Sequence, residues 1–150
     1  MKSRWMILGM ATASMAAAAF AATPADVITG RQARYKDIAK ASKAIQDELK
    51  KDTPNMAAIR ANANSIATLA PKVVRWYPKG TGPEAGVKTE ASPAIWSNWP
   101  GFKTKAVDFT KAAAGLKAAA AKGDAAQIKA AAGAMGGTCK GCHQDFRVKA

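Results

Sequence analysis

A chain of 150 residues is long enough for one domain, or for one domain and a tail. Hydrophobic residues make up 49% and charged residues 22%, which excludes a disordered chain, and much of the apolar share is helix-favouring alanine. Two cysteines and a single histidine exclude a multi-bridge disulfide scaffold and a zinc site of four Cys and His ligands. The formal net charge is +13, yet no basic motif interleaved with aromatics occurs and the lysines are spread along every predicted helix. No nucleic-acid partner is expected.

The N-terminus reads as a targeting segment. Met1, Lys2, Ser3 and Arg4 form a basic start, and an apolar stretch runs from Trp5 to Phe20. That stretch is near the lower limit for spanning a membrane. Small residues fill its second half, and Ala19, Phe20 and Ala21 form an A-x-A cleavage pattern. The expectation is export with cleavage after Ala21, no stable membrane anchor, a periplasmic location, and a single domain over 22–150. With export expected, attraction to an acidic redox partner or a membrane surface is the sharper reading of the positive charge, evenly solvated helix faces being the plainer one.

Helical periodicity dominates the rest, and no segment shows the alternation of a strand. A first helix is predicted from about Asp26 to Lys51, with Ile28, Arg31, Tyr35, Ile38, Ala41 or Ser42, Ile45 and Leu49 on one face. Thr53 and Pro54 read as the cap and first position of a second helix, whose stripe is Met56, Ile59, Ala63, Ile66, Ala70 and Val73. Pro71 should loosen its last turns. Pro78 to Ser92 is the one long loop.

Ser92 and Pro93 repeat the cap-then-proline signal. Ile95, Trp99, Phe102, Ala106, Phe109, Ala113, Leu116 and Ala120 then follow helical spacing, with Pro100 dividing a lead-in turn from the main third helix. Gly123 stops that helix, and Asp124 with Gln127 resembles a capping box for the fourth. Its stripe is Ile128, Ala132, Met135, Cys139, Cys142 and Phe146. Four such segments, two short links and one long one predict an all-α, antiparallel four-helix bundle.

Cys139-Lys140-Gly141-Cys142-His143 is the c-type haem attachment pattern C-x-x-C-H, and it uses every cysteine and the only histidine. On a helix, positions i and i+3 share a face, so both thiols can reach the two vinyl groups along one porphyrin edge. His143 then offers its imidazole to the iron from the same side. A C-x-x-C oxidoreductase would need a βαβ setting that is absent, and a Cys–Cys–His metal clip lacks a fourth ligand. The cofactor expected is one covalent haem c, seated between the first and fourth helices.

If those two helices are antiparallel neighbours, Tyr35 faces the haem on the side opposite His143. Arg31, one turn earlier, either pairs with a haem propionate or snorkels to solvent at the end of the bundle. Arg147 is the candidate partner for the other end of the ring. Once 1–21 is removed, Met56 and Met135 are the remaining methionines. Met56 should lie of order 20 Å from Tyr35, at the far end. Met135 shares a helix with His143 and hardly reaches the distal side. A five-coordinate, high-spin iron with a closed distal pocket is therefore expected, with phenolate ligation by Tyr35 at high pH as the alternative. No second histidine or acid–base pair supports peroxidase-like chemistry, so no enzyme is expected.

The ending from Cys139 through His143 to Phe146 and Arg147 resembles that of the class II c-type cytochromes, the cytochrome c' (c-prime) family. Arg31-Gln32 is similar to the family's Arg-Gln pair, which puts the distal position at Tyr35 and adds Gln32 to the cofactor-binding set. Ser92-Pro93-Ala94-Ile95-Trp96, with Phe102 and Phe109, is similar to its third-helix opening. The resemblance implies a periplasmic haem-c bundle, commonly a homodimer. It also implies two branches: a low-spin one with a distal methionine, suited to electron transfer, and a high-spin one that binds nitric oxide and carbon monoxide in an apolar pocket that stabilises oxygen poorly. Tyr35 in place of methionine points to the second branch; a low-spin carrier with a sixth protein ligand is the alternative.

Overall fold

The structure is a computed structural model that describes residues 22–148. The targeting segment predicted for 1–21 lies outside the described residues.

Helix α1 (Pro24–Glu48) starts at Pro24 rather than near Asp26, because Thr23 closes a capping box with Asp26. The Asp26 N–H donates to Thr23 Oγ1 at 3.2 Å, and the Thr23 N–H donates to the Asp26 carboxylate at 3.0 Å. Its inward stripe buries Ile28, Arg31, Ile38, Ala41 and Ile45, which settles the choice between Ala41 and Ser42 in favour of Ala41.

Helix α2 (Met56–Leu69) is not capped by Thr53, and Pro54 is not its first residue. Asn55 caps it: its Oδ1 accepts from the Ala58 N–H at 3.0 Å, while its own N–H donates to the Glu48 carboxylate at 2.9 Å. A side chain at position 53 stands too far upstream to reach that orphan amide. Pro71 acts as expected. The chain tightens after Leu69 into a 3₁₀ run, Ala70–Trp76, which keeps Ala70 and Val73 in the core.

After the loop comes α3 (Ala94–Ser97), a single turn, and then α4 (Trp99–Lys122). The division falls at Asn98, not at Pro100. Asn98 Oδ1 accepts from the Gly101 N–H at 3.2 Å, and Pro100 sits in the first turn, where no N–H is required. Gly123, at φ +80°, ends α4 in the left-handed region. Asp124 caps α5 (Ala125–Phe146) by accepting the Gln127 N–H at 3.0 Å.

The helices contact one another in the cyclic order α1, α2, α4, α5, while α1 meets α5 only sparingly. The architecture is a four-helix bundle. Ile45, Ile59, Ile66, Leu116 and Ile128 are fully buried in its interior, each contributing about 1.5–3 kcal/mol of burial, while the intervening Ala63 and Ala113 contribute less. Among the described residues, no helix is long and apolar enough to cross a membrane.

Candidate haem site

Helix α5 runs unbroken through the C-x-x-C-H motif, so Cys139, Cys142 and His143 occupy adjoining positions of one regular surface. Cys139 and Cys142 are free thiols, half-buried and packed against the core, whereas His143 is exposed. Burial pushes both thiols above their ordinary pKa; at Cys142 the neighbouring Cys139 adds to this, Lys105 opposes it and Asp145 adds a little more. Although the residue is exposed overall, partial burial of its imidazole against the helix, and then Arg147, hold His143 below its usual pKa, against Glu90. It is therefore neutral at pH 7, the form that can donate a lone pair to a metal.

His143 lines a cleft of about 700 Å³ with Gly136, Cys139, Arg147 and Glu90. A side chain at Gly133, Gly136 or Gly137 would meet nothing within 4 Å, so the flank of α5 beside the motif is bare backbone. The cleft differs from the space expected between the first and fourth helices. Its walls are α5 and the segments around Glu90 and Val148, with no residue of α1.

That outer wall is lashed in place by main-chain bonds. The Ser92 N–H donates to the Phe146 carbonyl at 3.0 Å and the Val148 N–H to the Glu90 carbonyl at 2.8 Å, flanking an isolated bridge between Ala91 and Arg147. The guanidinium of Arg147 pairs with the Glu90 carboxylate, both being exposed.

The inner side is aromatic. Tyr35, half-buried, sets its ring edge-on to Trp76 at 5.3 Å and shares a hydroxyl–hydroxyl hydrogen bond of 3.2 Å with Tyr77. Tyr77 is edge-on to Phe102 at 4.9 Å, and Phe102 to Phe146 at 5.5 Å. Tyr77 belongs to the buried core against which Tyr35, Cys139 and Cys142 all pack, so the pair lies on the core side of the motif. Burial raises both phenols above their ordinary pKa.

Arg31 does not snorkel. It is 2% exposed, and its guanidinium donates to Thr81 Oγ1 at 3.0 Å and Thr89 Oγ1 at 2.9 Å while lying 4.6 Å from the centre of the Tyr77 ring. Burial lowers its pKa, opposed by Tyr77, Tyr35 and Glu84, but a guanidinium is so basic that it stays charged. Gln32 donates its side-chain amide to the Lys88 carbonyl at 2.9 Å. Both residues thus pin the Pro78–Ser92 loop to α1.

Sequence reasoning missed Tyr77, Thr81, Thr89 and Glu90, all in or beside that aperiodic loop. One signal was available: an arginine on an inward stripe demands acceptors.

The donor set suits a haem. Two thiols and a neutral imidazole on one helix face would hold its edge and its iron. Arg31, a buried cation whose nearest partners are neutral hydroxyls and a ring, is the charge that an acidic substituent would neutralise.

A family model for cytochrome c' matches residues 26–147. The chain belongs to the cytochrome c' family. Cytochrome c' of Rubrivivax gelatinosus is 39% identical over 127 residues, spanning 84% of this chain and 97% of that protein. The crystal structure of cytochrome c' from Thermochromatium tepidum superposes with a TM-score of 0.80 at 35% identity, covering 85% of this chain and 98% of that one. A further match, at TM-score 0.77 and 32% identity over 86% of this chain and 98% of the other, is a nitric oxide complex of a cytochrome c' mutant from Alcaligenes xylosoxidans. Another, at TM-score 0.80 and 32% identity over 86% and 99%, is a cytochrome c' with an unusual ligand-controlled dimer dissociation. Membership implies a haem cofactor, iron and electron-transport chemistry on a four-helix bundle.

Proposed function

We propose that this cytochrome c' is exported to the periplasm and carries one haem c, bonded through Cys139 and Cys142 with His143 on the iron. The iron is five-coordinate and high-spin, and the protein binds nitric oxide or carbon monoxide and exchanges electrons without acting as an enzyme. Bound there, the haem supplies a redox-active iron with one open coordination position.

The observation that carries the reading is the split around α5: His143 lines the outer cleft, while the hydrogen-bonded Tyr35–Tyr77 pair packs in the core against which Cys139 and Cys142 also lie. A neutral phenol is a poor iron ligand, and burial keeps Tyr35 neutral across the physiological range. Arg31 and Arg147 are the cations offered to the two propionates, with Gln32 holding the loop beside Arg31. The nitric oxide complex of the Alcaligenes protein supports gas binding here, and the ligand-controlled dimer of another relative supports a homodimer. The redox partner is an acidic protein, met through a surface of net positive charge.

The test is the visible spectrum of the mature protein at pH 7, ferric and ferrous, before and after nitric oxide. A broad high-spin spectrum that changes with the gas is expected. A sharp low-spin spectrum unmoved by gas would make a six-coordinate electron carrier the better reading, and absence of haem absorbance would sink both. Tyr35→Met should turn the spectrum low-spin if residue 35 faces the iron.

A further inference from the structure

A phenol oxygen can accept hydrogen bonds but has only one proton to give. Tyr35 and Tyr77 share a single bond at 3.2 Å, and among the described residues neither hydroxyl has another partner. One of the two must therefore donate to the other, leaving the acceptor's own proton free to point elsewhere. Arg31 breaks the tie.

Its guanidinium lies over the Tyr77 ring at 4.6 Å and is fixed there by Thr81 and Thr89. A cation on the ring face draws density from the phenol and makes Tyr77 the more acidic hydroxyl, hence the better donor. The two oxygens are held at this separation, because Phe102 abuts Tyr77 and Trp76 abuts Tyr35, both edge-on.

We propose that Tyr77 is a positioning residue for ligand binding: by donating to the Tyr35 oxygen, it turns the Tyr35 proton toward a small diatomic molecule bound on the face opposite His143. The pocket is then polar at one point, contrary to the wholly apolar one that the family resemblance implies. The inference rests on the proposed haem placement and deepens it. Arg31, Tyr77 and Tyr35 form a relay from a buried charge to the ligand, each member fixed by contacts that need no ligand. The same relay holds the Tyr35 oxygen in a donated bond and so away from the role of sixth ligand.

The experiment uses the haem-loaded, ferrous carbon monoxide complex of the full mature chain. The C–O stretch of the unaltered protein should shift when water is replaced by deuterium oxide. Tyr77→Phe keeps the ring that Arg31 and Phe102 touch. Both Tyr77→Phe and Tyr35→Phe should raise the stretching frequency and speed carbon monoxide dissociation about fivefold, the worth of one ordinary hydrogen bond. The double variant should be no worse than Tyr35→Phe alone.

The chain has only two tyrosines, so Tyr77→Phe also leaves Tyr35 as the sole tyrosine Raman signal. Its hydrogen-bond-sensitive doublet should report loss of the donated bond without reference to gas binding. An unchanged doublet, or additive effects in the double variant, would overturn the proposal. Absence of the isotope shift in the unaltered protein would do so even if Tyr77→Phe failed to fold. In each case a normal high-spin spectrum leaves the haem reading standing. A low-spin spectrum that carbon monoxide does not alter would overturn that reading, and this inference with it.

Discussion

The Glu90 carboxylate closes on the Arg147 guanidinium at the rim of the His143 cleft, one step outside two main-chain bonds that tie the same segments together. The ion pair is exposed on both sides, so the backbone bonds carry the attachment and the charges contribute little. Arg147→Ala should change stability by less than about 1 kcal/mol in urea denaturation, and high salt should shrink the difference further. A larger, salt-independent loss would mean that the pair, rather than the backbone, holds the end of α5.

Arg31 presents the opposite case. It is buried, and its removal leaves Thr89 Oγ1 only the Ala91 N–H as donor, at 3.2 Å, and opens a cavity beneath the loop. Thr81 keeps its bond to the Pro78 carbonyl at 2.8 Å. Arg31→Ala should cost about 3 kcal/mol, combining lost charge-assisted bonds with the cavity. Arg31→Met refills the volume and should recover a sizeable part of that loss. Equal urea midpoints for the two variants would show that packing around the side chain is unimportant.

The helical frame was legible in the sequence because each stripe is written in residue type: Ile59, Ala63, Ile66 and Ala70 are buried at the spacing that predicts them. The stop at Gly123 and cap at Asp124 were legible for the same reason, since few residues take φ +80° and few side chains accept a helix amide. Caps failed where two candidates stood close together. Thr53 lost to Asn55 because Glu48, from the preceding helix, satisfies the Asn55 amide, a tertiary contact that no local pattern records. The partners of Arg31 were illegible on the same ground: Thr81 and Thr89 sit in a loop without period, brought to α1 by the fold alone. Cys139, Cys142 and His143 were the easiest residues to single out, because their spacing is itself the chemistry.

Acid should loosen the bundle. Thr23 holds the Asp26 carboxyl below its ordinary pKa, Lys43 and Lys50 do so for Asp47, Lys51 for Glu48, and the Gln127 amide for Asp124. A carboxylate depressed in the folded state stabilises it above the unfolded pKa, and the contribution is lost as pH falls through the folded value. The urea midpoint should therefore decline as pH falls from about 5 through the acidic range. Thr23→Val removes the hydroxyl that caps α1 and should make the decline shallower. A midpoint constant between neutral and acid pH would contradict the assignment.

Met135 gives the sharpest check on coordination. It is 1% exposed and lies on α5, two turns before His143, where its thioether packs into the core. Residues on one helix near the same cofactor approach it from a common side, so Met135 and His143 cannot take opposite axial positions without unwinding α5. Met135→Leu, a nearly volume-conserving change, should cost less than about 1.5 kcal/mol and leave the haem spectrum as it was. Tyr35→Met, by contrast, should convert the spectrum to low-spin, because position 35 approaches from α1 across the core. If Met135→Leu altered the spin state while Tyr35→Met did not, the thioether of α5 would be the sixth ligand, and the proposed open position on the iron would be lost.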